Sequence, residues 1–106
     1  MNLRKFLKFT ARKSDYVDML VLRPRIVCND GFNISVQAGH GLYCSPREDL
    51  MNGNYESVEA GYPSEAEPLL MEYAKDDSKP TETVYGWVPV EVIEAVVKKH
   101  GGWEVE

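Results

Sequence analysis

The sequence predicts a single α+β domain, 1–106: an antiparallel sheet of about four strands with a central β-hairpin, covered by three or four short helices. Three observations predict it. A length of 106 residues suits one domain with one modest core. Hydrophobic residues at 43 % and charged residues at 27 % match a globular chain and exclude a disordered or collagenous one. Alternating runs bounded by turn dipeptides are interleaved with helix-capping signals, the pattern of a sheet covered by helices.

The first helix opens at Asn2, whose side chain can cap it. Leu3, Phe6, Leu7, Thr10 and Ala11 then follow the spacing of one apolar helical face. Arg4, Lys5, Lys8 and Arg12 fall on the opposite, wet side. Val17 to Val27 reads as a strand, apolar on both faces at Met19-Leu20-Val21-Leu22. Arg23-Pro24-Arg25 interrupts it, because proline cannot donate to a ladder. Asp30-Gly31 is a two-residue hairpin signal, since both positions tolerate positive φ. Phe32 to Ala38 alternates as the returning strand, and Gly39-His40-Gly41 ends it.

Ser45-Pro46-Arg47-Glu48 predicts a helix start. Serine caps, proline takes the first helical position, Glu48 closes a capping box, and Asn52-Gly53 stops the helix. Tyr55 to Tyr62 reads as the third strand, with Val58, Ala60 and Tyr62 on one side. Ser64 to Glu67 repeats the capping logic ahead of a helix whose stripe is Ala66, Leu69, Leu70 and Tyr73, with Pro68 in its first turn. Residues 75–81 form a polar loop and Thr83 to Val88 the fourth strand. Pro89 starts the last helix, with Ile93, Val96, Val97 and His100 on one face, and Gly101-Gly102 ends it. Trp103 to Glu106 adds a short edge strand.

Charge narrows the function classes. The chain carries 12 basic and 17 acidic side chains, a net charge of −5. The acidic residues crowd between Glu48 and Glu82, and an acidic face suits a partner protein with a basic surface. Direct nucleic-acid binding is not expected, because only the N-terminal segment attracts phosphates. No apolar run is long enough to cross a bilayer, and the basic N-terminus lacks the apolar stretch of a signal peptide. Two cysteines, Cys28 and Cys44, are too few for a disulfide scaffold and fit a reducing cytoplasm.

Catalytic sets are missing. Cys44 with His40 or His100 matches no cysteine-hydrolase signature, and Cys28, His40, Cys44 and His100 lack the CxxC that anchors zinc. The expectation is therefore no enzyme, no metal and no cofactor, with His100 serving as a helix C-terminal charge on the dipole. Two binding sites are predicted. One is the loop 39–47, where His40, Tyr43 and Arg47 sit at a strand-to-helix junction able to cradle a small anionic ligand, with Arg23 or Arg25 assisting. The other is Tyr85 with Trp87, which strand alternation puts on one face of the fourth strand as an aromatic hot spot.

Asn29-Asp30-Gly31-Phe32, Ser35-Val36-Gln37-Ala38, Tyr43-Cys44-Ser45-Pro46-Arg47, Gly61-Tyr62-Pro63-Ser64, and Tyr85-Gly86-Trp87-Val88-Pro89 through His100-Gly101-Gly102 resemble small accessory proteins of phages and prophages of gut bacteria, over residues 29–102. That family brings no assigned catalytic residues. The resemblance implies action in a bacterial host cytoplasm, by analogy with inhibitors of host defence such as anti-CRISPR proteins and with sponges for signalling nucleotides. The expected function is a non-enzymatic, phage-encoded inhibitor working by protein–protein contact. The alternative is a small-molecule binder capturing a phosphate-bearing ligand such as a signalling nucleotide.

Overall fold

Ile34 and Val36, the alternating apolar positions of the returning strand, are buried, while Asn33, Ser35 and Gln37 are half-buried. One face of the sheet therefore belongs to a core and the other is wetter. The computed structural model describes residues 2–9, 23–50 and 52–104. Along the chain these form α1 (Leu3–Phe9), β1 (Ile26–Val27), β2 (Asn33–Gln37), β3 (Ser57–Gly61), a 3-10 helix (Pro68–Tyr73), β4 (Val84–Pro89) and α2 (Val90–Lys99). The strands lie side by side in the order β1-β2-β3-β4, each antiparallel to the next. The fold is α+β with a four-stranded antiparallel sheet, as the sequence predicts. Thr10, Ala11, residues 17–22 of the predicted first strand, and residues 105–106 of the predicted edge strand lie outside the described residues.

The predicted hairpin joins β1 to β2 with Ile26 opposite Ile34. Gly31 takes φ 95° in its turn, and Asp30 Oδ1 accepts the Phe32 N–H at 2.8 Å. Pairing then carries one apolar face across the sheet: Val36 lies opposite Ala60, Ala60 opposite Tyr85, and Val58 opposite Val88. All of these are buried in the same cluster as Leu3, Phe6 and Leu7 of α1 and Ile93, Val96 and Val97 of α2. Asn2 caps α1 as expected, its Oδ1 accepting the Lys5 N–H at 2.8 Å.

Three expectations are corrected. No helix follows Ser45. Instead Ser45 is drawn alongside β3, donating its N–H to Ser57 and accepting from Glu56 N–H, with the Ser45–Pro46 peptide cis. A serine engaged in a bridge cannot cap, and the backbone groups a helix would have used find other partners. Asp49 Oδ1 accepts from His40 N–H, and the Tyr55 hydroxyl joins Glu48 O to Leu50 N–H. Tyr62 does not continue the inward row of β3. It lies past the strand at φ 51° and is 52 % exposed. The helix after Ser64 is a 3-10 helix capped by Glu67, whose carboxylate accepts the Leu69 N–H at 2.8 Å. A three-residue period aligns Leu70 with Tyr73 and turns Leu69 outward.

Candidate functional site

The alternation Tyr85-Gly86-Trp87 predicts both aromatics on one face. The structure separates them. Between Val58–Val88 and Ala60–Tyr85, β4 spends three positions where β3 spends two. This bulge restarts the alternation, so Tyr85 and Val88 both face the core and Trp87 is turned outward. Tyr85 is fully buried, its hydroxyl donating to Pro80 O at 2.6 Å. It is a core residue and takes no part in a binding face. Trp87 is 48 % exposed and held at φ 50°. That left-handed conformation costs an L-residue about 1 kcal/mol or more.

Tyr43, from the loop after β2, closes over this bulge. Its ring stacks on Trp87 with centroids 5.0 Å apart and planes inclined by 22°. Its carbonyl accepts the Trp87 N–H at 2.9 Å, and its own N–H donates to Glu59 Oε1 at 3.2 Å. Gly86 makes the approach possible, because a Cβ there would meet Tyr43 Cβ at 3.3 Å. Tyr43, Tyr73, Lys75, Gly86 and Trp87 line a cleft of about 350 Å³. Lys75 Nζ and Arg47 Cζ each stand 5.8 Å from the centre of the Tyr43 ring, within cation–π range. A larger depression of about 660 Å³ runs along α2, but charged Glu91, Glu94 and Lys98 border it. The small cleft is the one that gathers rings and cations.

Three residues from the predicted sites meet here: Tyr43, Arg47 and Trp87. The others do not. Arg23 is 5 % exposed, and its guanidinium donates to Leu7 O and Ala38 O. It ties α1 to the end of β2. Arg25 lies on the hairpin, donating to Asn33 and to Tyr62 O. His40 is exposed, and only its backbone N–H is engaged, by Asp49. The anion cradle expected over 39–47 is not built. It lacks a helix N-terminus, the Asp49 carboxylate occupies the His40 N–H from outside the loop, and Arg47 Nε and Nη2 are spent on Leu42 O and Gly41 O.

A second cluster escaped the sequence reading. The His100 ring stacks on Phe32 with centroids 4.1 Å apart. Its Nδ1–H donates to Asp30 Oδ2 at 2.6 Å and its Nε2–H to Glu67 Oε1 at 2.9 Å, a pair of bonds that only the imidazolium makes. Lys99 Nζ adds a 3.0 Å contact to Glu67 Oε1. Burial pulls the imidazole pKa down, but the two carboxylates outweigh it and the net shift is upward. Burial likewise pushes Glu67 up, yet the Leu69 N–H, Lys99 and His100 bring it below its usual value. Asp30 is lowered by the Phe32 N–H and by His100. The cluster joins the hairpin turn, the cap of the 3-10 helix and the end of α2.

Burial pushes the Cys44 thiol up, and both cysteines are buried and unpaired. Among the described residues no group of three or more His, Cys, Asp or Glu side chains is arranged to hold a metal ion, and no helix is long and apolar enough to cross a membrane. Compared with family models, curated proteins and solved structures, the chain matches none.

Proposed function

We propose that this chain is a non-enzymatic binding protein that docks on a partner protein through the face formed by Tyr43, Tyr73 and Trp87. One observation carries the reading: Trp87 is held half-exposed at positive φ by the β4 bulge, stacked on a tyrosine. Backbone held in an unfavourable conformation to present a large ring outward is commonest at binding sites. Tryptophan and tyrosine are also the residue types that dominate interface energetics. The resemblance to phage and prophage accessory proteins makes a bacterial defence protein in the host cytoplasm the first partner class to test. The expected basic surface on that partner answers the exposed carboxylates between Glu48 and Glu82. A phosphate-bearing small molecule, the other expectation, loses support at the loop 39–47, where Arg47 is bonded to the loop's own carbonyls.

The test is capture from bacterial lysate with the immobilised wild type, Trp87→Asn and Tyr43→Ala. Asparagine tolerates the left-handed backbone, so Trp87→Asn should melt at the wild-type temperature within the effect of about 1 kcal/mol. A partner held by the wild type and lost by both variants is the expected result. Equal capture by all three folded proteins would sink the proposal.

A further inference from the structure

We infer that the occupant of the aromatic cleft is an extended, proline-containing segment of the partner that carries a carboxylate side chain. This rests on the reading that the Trp87 face is the docking face. Its argument begins with the ways a protein surface takes a peptide.

Addition of a strand needs an open sheet edge, and the two edges are occupied where the structure describes them. Beside β4, Ala74 bridges to Tyr85 and Lys75 N–H donates to Val84 O at 3.0 Å. Beside β1, Cys28 pairs with Trp103, and Glu104 N–H donates to Val27 O at 2.9 Å. An amphipathic helix needs a groove several turns long. A cleft of about 350 Å³ lined by five residues accepts a short extended stretch instead.

The lining fits such a stretch in its polyproline form. Tyr43, Tyr73 and Trp87 offer ring faces on which pyrrolidine rings pack. A polyproline helix has no internal hydrogen bonds and leaves its carbonyls free. The cleft supplies matching donors: the hydroxyls of Tyr43 and Tyr73 and the indole N–H of Trp87 have no hydrogen-bond partner among the described residues. Gly86 leaves the floor without a side chain. Binding a segment that is already extended also avoids much of the ordering cost of association.

Charge supplies the second half of the inference. The chain is acidic overall and Glu59 accepts the Tyr43 N–H, yet the two charges set against the Tyr43 ring are both cationic. Neither Lys75 nor Arg47 has a carboxylate within ion-pair distance among the described residues. Arg47 is bonded to Leu42 O and Gly41 O, so Lys75 is the charge left to pair, and the complement to an aromatic cleft flanked by it is a segment bearing an Asp or Glu next to its prolines.

The experiment titrates the full chain with a synthetic peptide of Pro-Pro-Glu repeats, its Pro-Pro-Gln counterpart, an Ala-Ala-Glu counterpart, and AMP. Binding is read by isothermal titration calorimetry for every variant, and in the wild type also by the Trp87 indole N–H resonance. The Pro-Pro-Glu peptide should shift that resonance. Its affinity should fall by about tenfold or more in Trp87→Asn, and by several-fold in Lys75→Gln or with the Gln peptide. Tyr73→Ala provides a second variant on a separate element. Equal binding of the Ala-Ala-Glu peptide would overturn the proline requirement. Binding of AMP in place of the peptides would overturn the ligand class in favour of a small anion. Silence from every peptide, with lysate capture still dependent on Trp87, would overturn this inference and leave the docking face standing. Loss of both would remove the face as well.

Discussion

His100 shows how much one residue can hold. Its ring touches Phe32, Asp30 and Glu67, and Glu67 in turn holds Lys99 and the first N–H of a helix. The pKa shifts give this cluster a pH signature. The His100 imidazole is raised above 6.5, so its contribution to stability is complete below about that pH and is lost as pH rises through the folded value. Asp30 and Glu67 are lowered below 3.8 and 4.5, so theirs is present above those values and lost as pH falls through the folded ones. Resistance to urea should peak between about pH 4.5 and about pH 6.5 and decline on both sides. His100→Gln should lower the peak by about 2 kcal/mol and flatten the alkaline decline. An alkaline decline of the same slope in the variant would assign it to other groups. The sequence showed this histidine on the apolar face of its helix, but not the two carboxylates, which arrive from distant stretches. Arg23 is similar. Its charge looked available for a ligand, and only the fold shows it buried between two carbonyls.

At the scale of elements, α1 is too short to be stable alone and depends on its docking. Gly53 is where it docks. With φ 73° and a hypothetical Cβ only 2.5 Å from Arg4 O and 2.9 Å from Lys8 N, no side chain fits. Gly53→Ala should displace α1 and cost about 3 kcal/mol, combining overpacking with left-handed strain. Calorimetry would show this as a lowered melting temperature, and an unchanged one would mean that α1 shifts freely. Elements governed by local chemistry were legible: the Asn2 cap and the apolar face of α2 form as read, and the hairpin turns at Asp30-Gly31, although its loop has three residues, Asn29 to Gly31, with Cys28 N–H donating to Phe32 O and Gly31 but not Asp30 at positive φ. Elements decided by neighbours were not. Ser45 reads as a cap only until β3 is beside it, and Trp87 shares a face with Tyr85 only until a bulge shifts the count. The glycine in Tyr85-Gly86-Trp87 was the one local sign of that bulge, since an isolated glycine in a strand often marks one.

For the whole molecule, the sheet, both α-helices and the 3-10 helix contribute to one buried cluster. Local order and global order therefore depend on the same contacts. The bonds from His100 to Asp30 and Glu67 cross 70 and 33 residues of chain. Closing loops of that length is entropically expensive, so these bonds should form after the rate-limiting step of folding. Losing them in His100→Gln should then speed unfolding and leave refolding as fast as before. A stopped-flow denaturant series would resolve the two, and a slowed refolding limb would instead place the ring in the folding nucleus. On the first outcome the imidazole acts as a latch: it has little part in guiding the chain to its fold, and it lengthens the time before a folded molecule opens to a protease.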